Sequence, residues 1–442
     1  MNDKSPRTTQ DKMEKIVALC KRRGFIYPGS EIYGGLTGTW DYGPLGALLK
    51  KNIKDEWWKY TVQLRDNVVG VDAAIMMNPT VWEKSGHLAA FTDPLVECKI
   101  CHQRFRADKE EEIKAHEKTH DKTPQWTSPQ KFNLLVKAYL GIIEGEQSEI
   151  FLRGEITQGA FVNFENVVSS TRVKIPFGIA QIGKAFRNEI TPGNFTFRSR
   201  EFEQMELEFF VRPDEAEGDK WFEYWKQQRM GWYESLGIKK ENLRFRKHTD
   251  KERAHYARYA EDIEYNAPFG WSEFEGIHHR GDWDLSRHSL SYIDDDGKKF
   301  TPWVIETSGG IDRALLFFLL DAYHEEPSKD SGQAGRVILK LHPKLAPYKV
   351  AVFPLLANKE DLVDEARKIY ENLRPDMMTA WDDRGNIGKR YFAQDEAGTP
   401  FCVTVDFRTL EDKTVTVRER DSAKQERIST EKLKSYFEEK LK

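Results

Sequence analysis

The chain has 442 residues, which at roughly 150 residues per domain implies two or three domains. It is 39% hydrophobic and 32% charged, and its 26 Phe, 16 Tyr and 12 Trp carry too much apolar mass to stay solvated, so a disordered chain is excluded. The 68 basic and 72 acidic side chains leave a formal charge of −4, which excludes a globally basic nucleic-acid binder but not a local basic patch. The longest apolar run, Ala314 to Leu320, falls far short of the ~20 residues of a membrane span, so no membrane partner is expected. No apolar signal segment opens the sequence, and Cys20, Cys98, Cys101 and Cys402 form no disulfide framework, so a reducing, cytoplasmic location is expected.

In chain order, residues 9–23 read as a helix capped by Thr8 or Thr9, with Met13, Ile16, Val17 and Cys20 as its apolar stripe and Gly24 as its stop. A Gly-rich segment follows, and Pro44 opens a second helix with Leu45, Leu48, Leu49, Ile53 and Trp57 on one face. Residues 98–150 are dominated by charge and read as an inserted subdomain. From 150 to 323 the pattern is strand-rich and aromatic. Residues 325–335 read as a linker, and beyond them strands and helices alternate in a separate α/β domain.

Within the insert, Cys98-x2-Cys101-x14-His116-x3-His120 joins a thiolate knuckle to two histidines on one helix face, a tetrahedral zinc set with Phe105 and Ile113 as a small core. The gap is about two residues longer than the usual finger spacing, and a reduced CxxC turn beside solvated histidines fits the same residues. Zinc there would be structural, since all four positions are filled by protein. Farther on, residues 177–189 read as a strand and 201–210 as its returning partner. Period-2 alternation places Arg187 and Glu189 on one face, and Phe202, Gln204 and Glu206 opposite Met205, Leu207 and Phe209. That polar face suits either a site or a solvated surface. Between 302 and 320 a short strand ends at Glu306, Gly309-Gly310 follow, and a helix apolar nearly all round begins with Arg313 in its first turn. A cation there opposes the helix dipole, an arrangement suited to an anion such as a phosphate.

Taken together, WDYGPLG (40–46), FRNE with FRSREFEQMELEFF (186–210) and ETSGGIDR (306–313) resemble the three signature motifs of class II aminoacyl-tRNA synthetases, and the wording resembles the dimeric glycyl-tRNA synthetase family. SEIYGG (30–35), KSGH (84–87), residues 176–195, 270–288 and 385–407 extend the resemblance over nearly the whole chain from about residue 10. It implies an α+β fold: a class II antiparallel-sheet catalytic domain (1–97 and 151–335), an inserted zinc-finger-like subdomain (98–150) and a C-terminal α/β anticodon-binding domain (342–442). It also implies a homodimer, with the helix at 45–58 as the candidate interface element. A different class II synthetase, or a non-catalytic RNA-binding protein on the same scaffold, are the competing expectations.

The implied activity is ATP-dependent activation of glycine followed by transfer to tRNA(Gly), a reaction of positioning and charge neutralisation. By resemblance Arg187 would meet the α-phosphate, Arg313 and Arg198 would bracket the γ-phosphate end and the adenine, Phe202 would stack on adenine, and Glu189 would accept from its amino group. Asn188, Phe197, Glu273, Phe274 and Gly310 complete the implied ATP site, with Glu273 and Glu306 holding Mg²⁺. The implied glycine site takes Glu155, Glu206 and Glu306 around the ammonium group, Ser308, Gly310 and Phe202 nearby, and Arg106 and Arg280 near the carboxylate. Arg187, Arg313 and Glu306 are the implied catalytic residues. Where the family reads LRPETAQG this chain has LRGEITQG (152–159), so Gly154 replaces a proline beside Glu155, and His279 stands where Asn is common. In the C-terminal domain Lys389, Arg390, Arg418 and Arg420 are candidate phosphate contacts.

Overall fold

The computed structural model describes residues 6–143, 145, 147–250, 252–253, 256–327 and 335–441. Helix α1 (Pro6–Arg23) begins earlier than its pattern implies, so Thr8 and Thr9 fall inside it instead of capping it. Helix α2 (Pro44–Trp58) opens at Pro44 and buries Leu45, Leu49, Ile53 and Trp57. A Cβ on Gly46 would lie 1.8 Å from the Phe25 carbonyl oxygen, so only glycine admits the close approach of the two segments.

The catalytic half is built on a sheet of seven strands: β1 (Val68–Gly70), β2 (Phe177–Phe186), β3 (Glu201–Val211), β4 (Leu243–Lys247), β5 (Tyr259–Ala267), β6 (Gly270–Gly281) and β7 (Trp303–Gly310). Their order is β4-β5-β6-β7-β3-β2-β1, antiparallel throughout except for the short parallel pair β2–β1. Alternation along β3 sends Met205, Leu207 and Phe209 into the main core, where Phe209 meets Trp221 and Trp225 of helix α3 (Glu215–Ser235). Each such apolar side chain contributes about 1.5–3 kcal/mol by leaving water. Helix α4 (Ile311–Ala322) follows β7 directly, and every residue in it except Arg313 is buried, as its unbroken apolar sequence demands. Helix α2 packs against α4 and buries Leu45, Leu49, Ile53 and Trp57 in the main core of this chain.

Strand β2 stops at Phe186, three residues short of the expected end. Arg187 turns back to bond Arg200 O at 2.8 Å, and Glu189 follows in the loop. The insert begins in strand Thr92–Glu97, which pairs with Arg104–Arg106 and Gln130–Asn133, and a second sheet joins Met76–Met77, Ser148–Leu152 and Val136–Leu140. Of the expected linker, residues 328–334 lie outside the described residues, and its flanks Tyr323–Glu326 and Arg336–Leu339 pair as antiparallel strands. The C-terminal part has its own core around Val350, Val403, Val415, Leu362 and Phe437, with a five-stranded sheet flanked by helices Glu360–Leu373, Ile387–Ala397 and Leu433–Lys440.

Three of the four candidate phosphate contacts in that part are structural instead. Arg390 is buried and donates to the carbonyls of Asp383 and Gly385 at 2.9 and 2.8 Å. Arg418 is paired with buried Asp395 at 2.9 and 3.1 Å, and Arg420 donates to Gly398 O at 2.7 Å. Lys389 is exposed.

Candidate active site

The polar face of β3, β6 and β7 opens into a cavity of about 390 Å³, within the range of small-molecule sites. Two ends can be distinguished by charge.

At the cationic end Arg187 lies between the rings of Phe91 and Phe202, its guanidinium 5.2 Å from each, and its Nε donates to Gly154 O at 2.9 Å. A flat cation held between two rings keeps its remaining N–H groups directed and available. Arg198 donates from Nε to buried Glu189 at 2.7 Å. Arg313 lies over the Phe197 ring at 4.6 Å, donates to Phe197 O at 3.2 Å and pairs with Glu273 at 2.9 Å. That pairing holds the Glu273 carboxyl below the usual range although burial pushes it the other way. Gly310 stands immediately before α4, where an added Cβ would be in ordinary contact with the Arg313 stem.

At the acidic end Glu155, Glu206 and Glu306 are all buried and all line the cavity. Each solves the problem of its charge differently. Glu306 accepts from His278 Nδ1 at 3.1 Å and from the Arg280 guanidinium, and these cations outweigh burial and hold it low. Glu155 accepts from His87 Nε2 at 3.1 Å; burial pushes its carboxyl up, but His87, Arg280 and Arg187 prevail and lower it. Among the described residues Glu206 has no cationic partner. It accepts from Ser308 Oγ at 2.5 Å, Thr157 Oγ1 at 2.6 Å and Gln204 Nε2 at 2.7 Å, and burial together with the charges of Glu306 and Glu155 pushes it up to about 8. A neutral acid flanked by two ionised ones is an acceptor in waiting for a small cation.

Several expected residues lie elsewhere. Phe274 alternates away from Glu273 and stacks on Tyr233 in the core at 3.8 Å, so its ring does not reach the cavity. Asn188 is exposed outside the lining. Arg280 is buried under the Tyr256 ring at 3.8 Å and spent on Asp284 and Glu306, so it sets the Glu306 carboxylate and does not face the cavity. Arg106 is bound to Asp93 at 2.8 Å and to Asp108, and Asp93 lies 3.8 Å from Arg198, which puts Arg106 behind the Glu189–Arg198 pair and away from the three acids. Both of the acids assigned to magnesium line the cavity. Each Glu306 oxygen already accepts one hydrogen bond, from His278 and from Arg280, whereas the half-exposed Glu273 offers oxygen to the open side, the donor chemistry that Mg²⁺ requires. His279 points away from His278 and packs on Trp303. Sequence reasoning assigned no role to His87, Gln204, His278 or Asp312, all of which line the cavity. His87 lies in KSGH (84–87) and Gln204 in the EFEQ run, segments far apart in the chain that the fold brings to one cavity.

In the insert, the Cys98, Cys101, His116 and His120 ligand atoms all lie within 4.8 Å of one another. The separations Cys101 Sγ–His116 Nε2 of 3.4 Å, Cys98 Sγ–His120 Nε2 of 3.6 Å and His116–His120 of 3.0 Å are near the edges of a tetrahedron with Zn–S of about 2.3 Å and Zn–N of about 2.0–2.1 Å. His116 also packs on Phe105 at 4.7 Å.

Comparison with known proteins agrees with this layout. A family model described as the tRNA synthetase class II core domain (G, H, P, S and T) matches residues 139–322, and one described as an anticodon binding domain matches 349–440. The chain is 52% identical to the glycine–tRNA ligase of Borreliella burgdorferi over 97% of its own length and 98% of that protein. It is 49% identical to the Alkaliphilus oremlandii ligase (98% and 99% covered) and 50% identical to that of Thermobifida fusca (98% of each). A solved prolyl-tRNA synthetase from Cryptosporidium parvum, complexed with halofuginone and AMPPNP, superposes with a TM-score of 0.67 at 15% identity, covering 96% of this chain and 76% of that one, a likeness of fold. A class II catalytic sheet carrying the three signature segments, an anticodon-binding domain behind it and half-identical ligases matched end to end place the chain in the glycine–tRNA ligase family.

Proposed function

We propose that the chain activates glycine with ATP and transfers it to tRNA(Gly), with each end of the cavity doing one part of the work. The observation that carries this is the convergence of Glu155, Glu206 and Glu306 at one end of the cavity whose other end presents Arg187. Glycine has only an ammonium and a carboxylate to recognise. The three acids take the ammonium, and the carboxylate oxygen is left facing the arginine. In the first step that oxygen bonds to the α-phosphorus of ATP and the bond to pyrophosphate breaks. In the second a ribose hydroxyl of the tRNA terminus attacks the glycyl carbonyl, its proton is lost, and AMP leaves. Neither step needs a covalent enzyme intermediate, so alignment and charge neutralisation are the protein's contribution. Arg187 holds the α-phosphate, Arg313 the far phosphates, and Phe202, Glu189 and Arg198 the adenine. Glu273 is the residue that would hold Mg²⁺, which when bound offsets the charge of the phosphates.

Pyrophosphate exchange across a panel of amino acids tests this directly. Exchange with glycine alone is expected, and Arg187→Ala is expected to lower it by at least a hundredfold. Exchange driven by a larger amino acid, or none by the intact chain, rejects the reading.

Glu206 makes a second test. An arriving ammonium favours the ionised carboxylate, so glycine binding releases a proton from a group that holds it up to about pH 8. Affinity for glycine is expected to rise as the pH is raised from 6.5 to 8, by up to about tenfold per unit, and then to level off. Glu206→Gln is expected to bind weakly and without that slope, as read from the glycine KM in exchange assays.

We further propose a structural zinc ion on Cys98, Cys101, His116 and His120, supported by their mutual spacing. Metal analysis is expected to find one zinc per chain and to lose it in Cys101→Ser; a metal-free wild type rejects the site.

A homodimer is supported by Ile32 and Tyr33, which are 87% and 86% exposed in the Gly-rich segment, beside Leu36. Light scattering is expected to give twice the chain mass, and Tyr33→Asp to shift it toward the monomer. Free cysteines and the absence, among the described residues, of a helix long and apolar enough to cross a membrane support a cytoplasmic setting.

A further inference from the structure

Glu155 follows the glycine that stands where the family has a proline. Gly154 precedes it, with no side chain of its own and the widest conformational range of any residue. A Cβ at Gly154 would come 2.8 Å from Phe91 Cε1 and 3.0 Å from Leu135 Cδ2, so the close approach leaves no room for one. What the backbone does not restrain, a chain of side chains does. His87 Nε2 lies 3.1 Å from Glu155 Oε1, and His87 Nδ1 lies 2.7 Å from Ser85 Oγ. Ser85, His87 and Glu155 are all buried. The imidazole cannot swing, because Trp82 meets it edge-on at 5.3 Å and Phe91 packs on it at 5.2 Å.

The donors and acceptors assign themselves. An ionised carboxylate only accepts, so Nε2 carries the hydrogen it receives; in the neutral ring Nδ1 then accepts from the Ser85 hydroxyl, and in the charged ring it donates to it. One short segment thus serves both ends of the cavity: His87 orients the Glu155 carboxylate, while Phe91, four residues on, forms one of the two rings that flank Arg187.

We propose that His87 is a positioning residue for glycine, fixing through its Ser85-oriented imidazole the Glu155 carboxylate that receives the substrate's ammonium group. The proposal rests on the glycine-activation reading above. A hydrogen bond to a charged group in a buried site is strong enough that its loss reads as a large change in affinity.

Exchange kinetics on the full-length chain test it, with thermal midpoints taken alongside. His87→Leu is expected to raise the glycine KM about 10- to 100-fold while the ATP KM stays within about twofold. His87→Gln, which keeps a donor, is expected to recover most of that loss, and Ser85→Ala to raise the glycine KM about two- to fivefold. A glycine KM unchanged in folded His87→Leu overturns the proposal, as does an equal rise in both KM values, the mark of a general loosening of the cavity. Should His87→Leu not fold, an unchanged glycine KM in Ser85→Ala overturns it by itself. A wild-type chain inert with glycine overturns the activation reading and this one together, whereas failure in the variants alone overturns only this one.

Discussion

Carboxylates packed side by side in a buried space repel one another, and the catalytic sheet is organised by the groups that offset that repulsion. Glu306 is held between Arg280 and His278, and Glu155 is held by His87. Arg280 is itself steadied by Asp284 and by the Tyr256 ring. Removing one partner of such a buried pair costs about 3–5 kcal/mol, because the charge left behind has no water to turn to. Glu206 takes the other solution and stays neutral, surrounded by hydroxyls and an amide. Behind it Glu208, on the same face of β3, is buried with neither carboxyl oxygen bonded, and burial together with the charges of Glu306 and Glu206 pushes its carboxyl well above the usual range. The result is a site that tolerates its acids without substrate and gains from a cation when one arrives.

The cationic end is tied to the rest of the chain by a second ionic cluster. Asp312, next to Arg313 in the first turn of α4, accepts from the Tyr42 hydroxyl, from Lys50 at 2.9 Å and from the Glu203 amide at 2.6 Å. Lys50 and Lys54 reach Glu203 at 3.2 and 3.1 Å. An acid at that position is favoured by the helix dipole and offsets the unfavourable placement of Arg313 beside it. The polar face of α2 therefore anchors Asp312 in the first turn of α4, beside Arg313, while its apolar face builds the core.

Much of this was legible in sequence because it is local. Strand alternation placed Phe202, Gln204 and Glu206 opposite Met205, Leu207 and Phe209, and the apolar run from Ala314 to Leu320 specified a buried helix. The same alternation shows why Glu273 and Phe274 could not both face the cavity. Where the reading failed, the deciding partner was remote. Arg106 was captured by Asp93, Arg418 by Asp395 and Arg280 by Glu306, partners 13, 23 and 26 positions away in the chain.

Sequence alone determined the element types, the side of each strand that would be polar, the Cys/His spacing of the insert and the family to which the chain belongs, since these depend on period, composition and motif order. Only the tertiary structure decided which charges meet. His87 and Glu155 are 68 positions apart in the chain yet 3.1 Å apart in space, and Tyr42 and Asp312 are separated by 270. Such pairings are fixed when the sheet closes and water is expelled, because only then does an unpartnered charge become too costly to keep.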